Sequence, residues 1–487
     1  MKHEKYMSDI LKKIDSNNQL IDERTGLMDY FEQNDISSRA RELMNIERNL
    51  GHEPLFAFKI LVASKLGVLL DGRLNPKVME YLDNSISLKE LVVDLAFLSG
   101  FSKDDVKEKL LSIARFGMME FHPTDICNMK CKGCILSQSP TRDTDKRKFF
   151  PYGKVDMFRY LRPKTLIIVG GGEPTLYKDR GHDFKGLLER LVEFLPGIRF
   201  GLITNGVYKP DFSEYEKFFD YVRISLGSHT ERSYKERKGR NFFKKTLENS
   251  LSYIGSNVTH VGFNYMINRN TIASSIEFAK FILNFLKENV PDKIDKCSIQ
   301  YRAIVYPPNI VKKTGRSLMD DSLDVLPFQI NEFYEYIDKI APSSEEGRFI
   351  IENTNLEDCL QGTRSHNPKG FEFCIKPLIF GQIRTNGIVQ TCNVRSDDPV
   401  VALGNFETIE GLMHMALKQF RVMYKDVGDD LCDSVNCRRH ARNRRFLEKQ
   451  STIEARAGKI DLLKRESTIM SEFKEYLEKE ADYNMFF

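Results

Sequence analysis

From residue 116 the chain alternates short apolar, strand-like runs with helical segments: FGMMEF, TLIIVG, RFGLIT, YVRISLG, HVGFNYMIN and CSIQYRAIV. Units of this kind in series predict parallel strands joined by helical crossovers, an α/β fold. Six units rather than eight predict a partial barrel, (β/α)6, in place of a closed one. Ligands of parallel sheets gather at the carboxyl ends of the strands, where the connecting loops meet. The residues with chemistry to offer fall at those ends.

The first loop carries Cys127-Asn128-Met129-Lys130-Cys131-Lys132-Gly133-Cys134, three thiols at CxxxCxxC spacing. Three are one too few to close a four-ligand iron-sulfur cluster, so a fourth iron would keep an open position. A structural zinc site or three buried thiols are the alternatives that the spacing leaves open. After the second run comes Gly170-Gly171-Gly172-Glu173-Pro174, where glycines let backbone groups approach a neighbour closely. The third run ends in Thr204-Asn205-Gly206 and the fourth in Ser225-Leu226-Gly227.

This order resembles the radical S-adenosylmethionine (radical SAM) enzymes over roughly residues 116–445. The resemblance implies a [4Fe-4S] cluster on Cys127, Cys131 and Cys134 whose open iron chelates SAM. It implies SAM contacts from Gly171, Gly172 and Glu173 to the amino group, and from Ser225 and nearby polar groups such as Asn205 to the ribose or carboxylate; Asn264, at the end of the fifth run, either lines this pocket or caps the helix that follows. Arg237 matches in offset an arginine that pairs with the SAM carboxylate in related enzymes, and Lys238 is its substitute. Two departures stand out: Gly227-Ser228 replaces the usual Asp-Gly, and Gly133 stands where many members carry an aromatic residue. The implied activity is reductive cleavage of SAM to a 5′-deoxyadenosyl radical that abstracts hydrogen from the substrate, with an external flavodoxin- or ferredoxin-like protein as reductant.

Gln300 and Arg302 alternate with apolar residues and so share a face. If that face is the barrel interior, Arg302 is a candidate for a substrate carboxylate or phosphate. Cys297, which opens the same run, is either a hydrogen donor to a substrate radical or a small core residue.

Later in the chain, Cys374 precedes two apolar runs joined by Asn386-Gly387, a hairpin signal, and Cys392 closes them. Cys432 and Cys437 precede a basic helix, RRHARNRR. This arrangement resembles the SPASM or twitch extensions of radical SAM enzymes and implies a second, auxiliary [4Fe-4S] cluster on those four thiols. Four thiolates suit zinc as well.

A chain of 487 residues suggests about two to four domains. The expected division is 1–115, mostly helical and either a winged helix or a cap; 116–310, the barrel; 311–355, a connector; 356–445, the auxiliary-cluster unit; and 446–487, a helical tail. Ser87 with Glu90 and Ser102 with Asp105 mark helix starts in the first part. The net charge of +4 is small for this length and does not point to nucleic acid. No run is long and apolar enough to span a membrane, and no secretory segment opens the chain, so a cytoplasmic protein is expected. In that compartment the nine cysteines are ligands or free thiols rather than disulfides. Two substrate classes follow: a ribosomally made peptide, undergoing oxidation, crosslinking or epimerisation, or a small metabolite such as a sugar or nucleotide. A zinc-stabilised interaction protein without catalysis is the alternative of another kind.

Overall fold

The computed structural model describes residues 102–113, 116–132, 134, 147–268, 270–303, 335–336, 343–356, 380–392, 401–409, 411–413 and 415. They build a nine-stranded sheet. Its strands are β1 (Met118–Phe121), β2 (Thr165–Ile168), β3 (Arg199–Thr204), β4 (Phe219–Ile224), β5 (His260–Ile267), β6 (Cys297–Ala303), β7 (Phe380–Ile383), β8 (Ile388–Gln390) and β9 (Ala402–Asn405). β1 to β6 pair in chain order and all in parallel, one strand from each apolar run. The helices are α1 (Lys103–Ile113), α2 (Phe184–Phe194), α3 (Glu231–Lys238), α4 (Phe243–Ile254), α5 (Ser275–Asn289) and α6 (Glu345–Glu352).

Local chemistry explains several element ends. Ser102 and Asp105 form a reciprocal cap at the start of α1: the Asp105 amide donates to Ser102 Oγ at 3.1 Å, and the Ser102 amide to Asp105 Oδ2 at 3.2 Å. The unforeseen α6 begins in the same way, with Ser344 Oγ accepting from the Gly347 amide at 3.0 Å. The chain after α6 covers the free edge of β6, where the Ile299 amide donates to Asn353 O and the Tyr301 amide to Asn355 Oδ1.

Strand alternation divides the sheet into two unlike faces. Met119, Phe121, Leu166, Ile168, Phe200, Leu202, Val222 and Val261 point to the helices and pack with Leu187, Leu191, Phe278 and Ile282. Each such burial is worth about 1.5–3 kcal/mol. The other face carries Glu120, Tyr221, Arg223, Asn264, Gln300 and Arg302 in the intervening register positions. β1 and β4 would stand about 14 Å apart in a flat sheet. Yet Tyr221, whose proton is held chiefly by burial, is also influenced by Glu120 on β1 and Arg302 on β6. The sheet therefore curls into a partial barrel with this polar face inside.

The Asn386-Gly387 hairpin is present, with Gly387 at φ +77° and Val389 paired to Ile383. Its first strand, β7, adds in parallel to β1, from Met118 opposite Phe380 to Phe121 opposite Ile383. The hairpin thus extends the barrel sheet itself, and Phe406 behind it stacks on Phe150 at 5.6 Å. The expected domain before Ser102, most of the 311–355 connector before Ser343, and the 446–487 tail lie outside the described residues. Among the described residues no helix is long and apolar enough to cross a membrane.

Gly201 on β3 faces the Tyr221 ring, and a Cβ there would fall onto it. Gly201→Ala is therefore expected to lower the unfolding free energy by about 1–3 kcal/mol. Denaturant titration checks this, and an unchanged midpoint would contradict the packing.

Candidate active site

The cysteine loop leaves the end of β1 and is pinned on three sides. At its start the Asp125 amide donates to Lys148 O at 3.0 Å, and Thr124 Oγ1 accepts from the Ile126 amide at 2.9 Å. In its middle Met129 is buried in the hydrophobic core while Cys127 stays exposed. Its second half caps helix α3: the Lys130 amide donates to Lys238 O and the Lys132 amide to Arg237 O, both at 3.1 Å. These are carbonyls that a helix end leaves without an intrahelical partner. Gly239, at φ +70°, lets the loop approach, because a Cβ there would strike Lys130 O. Arg240 Nη1 adds a bond to Asn128 O at 2.8 Å.

The three thiols sense one another. Although Cys127 is exposed by area, the atoms around its sulfur partly desolvate it and push the thiol up, with Glu173, Cys131 and Cys134 adding to the effect. Cys131 is also raised by burial, and Lys238 opposes that rise. Three soft sulfur donors on one loop fit an iron-sulfur cluster with one open iron. Among the described residues no three His, Cys, Asp or Glu side chains close around a single-ion site.

The glycines after β2 approach a protein neighbour. The Gly172 amide donates to Thr124 O and the Glu173 amide to Ile126 O, both at 2.7 Å. A Cβ on Gly171 would strike Asp125, and one on Gly172 would strike Ile126 O. The close approach that glycine permits is thus to the start of the cysteine loop. Glu173 is 2% exposed. Its Oε1 accepts from the Thr175 amide (3.2 Å), Thr175 Oγ1 (2.8 Å) and Thr204 Oγ1 (2.6 Å), and its Oε2 from the Asn205 amide (2.7 Å). Burial raises its proton affinity and these donors pull it back. Only Oε2, with one donor, retains room for an ammonium. Asn205 continues the brace, with Nδ2 donating to Asn128 Oδ1 at 2.7 Å.

At the end of β4 the Ser225 amide donates to Thr204 O at 2.7 Å, and the Gly227 amide to Asn264 O at 2.9 Å. Arg237 does not reach into this space freely. Its Nη1 donates to Gly227 O at 2.7 Å, its Nη2 to Tyr265 Oη at 3.4 Å, and its guanidinium lies over the Tyr265 ring at 5.1 Å. The neighbouring Lys238 is placed differently. Its Nζ lies 4.0 Å from where a Cβ on Gly227 would stand, and its charge is felt by Cys131. It is half-buried with no carboxylate partner among the described residues.

Arg302 and Gln300 do lie on the inner face, with Arg302 Nε donating to Gln300 Oε1 at 2.7 Å. Cys297 faces the helices, fully buried in the apolar core, with its thiol on Lys293 O and its proton affinity pushed up to about 12 by burial. Of its two readings this placement suits the small core residue and corrects the hydrogen donor. Cys392 follows β8 and is half-buried; Cys374, Cys432 and Cys437 lie outside the described residues. Sequence reasoning missed His122, Tyr221 and Arg223, although each alternates with core residues along β1 or β4.

Residues 121–282 match the family model of the Radical SAM superfamily. A comparison with curated proteins finds no match. Similar solved structures include Streptococcus suis SuiB bound to precursor peptide SuiA, at 17% identity and TM-score 0.40 over 66% of this chain and 71% of that one. Native anSMEcpe with bound AdoMet is similar at 17% identity and TM-score 0.41, over 63% of this chain and 80% of that one. BtrN in complex with AdoMet and 2-DOIA gives 13% identity and TM-score 0.27, over 72% and 92%.

Every contact on Glu173 is a donor, so Glu173→Gln would turn an amide donor against one of them. The expected cost is about 1–3 kcal/mol of stability. Equal denaturation midpoints for the two proteins would remove the carboxylate from its bracing role.

Proposed function

We propose, from the match of residues 121–282 to the Radical SAM superfamily model, that this protein reductively cleaves SAM and takes a hydrogen atom from a ribosomally made peptide. The cluster would be held by Cys127, Cys131 and Cys134, and the observation that carries the reading is the clasping of the loop that bears them by the Gly172–Glu173 turn and by α3. When bound, the reduced cluster supplies one electron to SAM, which yields methionine and a 5′-deoxyadenosyl radical.

The chain's own residues would bind and orient SAM. Lys238, with its ammonium between Cys131 and the Gly227 turn, takes the SAM carboxylate; Arg237 holds that turn in shape. Glu173 Oε2 receives the amino group, and Asn205, Ser225 and Asn264 line the space between the ends of β3, β4 and β5. The barrel wall excludes water and orients the substrate. The peptide substrate is supported by the order LN, helix, LKELVVDL, helix, GMME, which resembles the peptide-binding winged-helix modules of some peptide-modifying radical SAM enzymes, and by the late cysteines. Cys374, Cys392, Cys432 and Cys437 would hold the auxiliary cluster that accepts an electron from the substrate radical or assists hydrogen return. A flavodoxin- or ferredoxin-like protein would supply the electron.

Anaerobically reconstituted protein with dithionite is expected to produce 5′-deoxyadenosine from SAM. Cys127→Ala should abolish this, whereas Cys432→Ala should retain uncoupled cleavage while substrate conversion fails; equal loss in both would give the second set a folding role only. Lys238→Met should weaken SAM binding in equilibrium dialysis by about tenfold or more, the loss of one charge-assisted contact. Unchanged binding would return the carboxylate to another residue.

A further inference from the structure

The inner face of the barrel holds buried polar atoms that have no partner among the described residues. Tyr221 Oη, Asn264 Oδ1 and His122 Nδ1 are all in this condition, in side chains 2%, 8% and 2% exposed. Native proteins satisfy nearly all such groups, so three on one concave face point to a ligand that completes them.

Their chemistry specifies what that ligand carries. Gln382 Nε2 donates to Glu120 Oε2 at 3.1 Å and lies 3.0 Å from His122 Nε2. A carboxylate only accepts, so the amide nitrogen faces both groups, and His122 Nε2 is an acceptor. Burial lowers the proton affinity of His122 against the Glu120 contact that raises it; with Nε2 taking the Gln382 hydrogen, the proton of the neutral ring is on Nδ1, which makes that atom a donor. Tyr221 offers a hydroxyl donor. Asn264 Oδ1 offers an acceptor.

Charge on the same face favours an anion. Arg223 stands beside the Tyr221 ring at 4.8 Å, and Arg302 influences the same tyrosine. Glu120 is the opposing carboxylate there, held by Gln382, while Asp125 faces Arg384 and Thr385. His260 is kept neutral by burial and by the Arg223 charge.

We propose that this face receives an acidic residue of the peptide substrate. Its carboxylate sits among Tyr221, His122 and the Arg223 and Arg302 charges; Asn264 Oδ1 is left to SAM, whose space it lines. This rests on the peptide reading above and names the residue class that the radical meets.

Isothermal titration of the reconstituted full chain with SAM present tests it, using Ac-Ala-Glu-Ala-NH2, Ac-Ala-Gln-Ala-NH2 and glutarate as probes. The glutamate peptide should bind at least about tenfold more tightly than the other two. Tyr221→Phe should reduce that binding by about tenfold, leave the dissociation constant of SAM unchanged, and leave the ligand-free protein as stable or more so, since it removes an unpaired buried hydroxyl. Equal binding of the glutamine peptide, glutarate binding as tightly as the peptide, no binding of the glutamate peptide, or unchanged binding by Tyr221→Phe would each overturn the inference. SAM bound normally in the same samples separates that failure from failure of the radical SAM reading.

Discussion

The arrangement of the site depends on one buried carboxylate and the two backbone bonds beside it. Glu173 gathers donors from Thr175, Thr204 and Asn205, and so ties the loop after β2 to the end of β3. The adjacent Gly172 and Glu173 amides close onto Thr124 O and Ile126 O, which fixes the start of the cysteine loop. Helix α3 then captures the rest of the loop with carbonyls that it cannot satisfy internally. The three cysteines thus stand at a junction of β1, β2, β3 and α3, although none of those elements contains a metal ligand. This is the kind of outer support that holds ligands in a defined orientation.

The barrel wall has a division of labour set by strand alternation. One face is apolar and carries the stability, and the other is polar, buried and incompletely hydrogen-bonded. A polar interior of this kind costs stability unless something fills it. The hairpin of β7 and β8 takes part in this interior too, because Gln382 and Arg384 reach Glu120, His122 and Asp125 on the first strand and its loop.

Much of this was legible in the chain. Apolar runs with β-branched and aromatic residues mark β1 to β6, and Asn386-Gly387 marks the hairpin, because strand periodicity and turn chemistry are local properties. Ser102 with Asp105 marks the start of α1 for the same reason. The roles of Arg237 and Cys297 were not legible. An arginine at the right offset reads as a ligand until Gly227 O and Tyr265, 10 and 28 residues away, are seen to hold it. Cys297 looked close to the pocket, but the phase of β6 turns it to the helices while Gln300 and Arg302 face inward. The joining of β7 to β1 was likewise hidden, since a parallel pairing across more than half the chain leaves no local mark.

The central claim is that three thiols hold a cluster with one iron open to SAM. Low-temperature electron paramagnetic resonance of the reconstituted, reduced protein tests it most directly. The account predicts a [4Fe-4S]+ signal that changes shape when SAM is added, and a loss of that SAM-sensitive component in Cys131→Ala. A signal indifferent to SAM, or zinc retained in place of iron after anaerobic reconstitution, would contradict it.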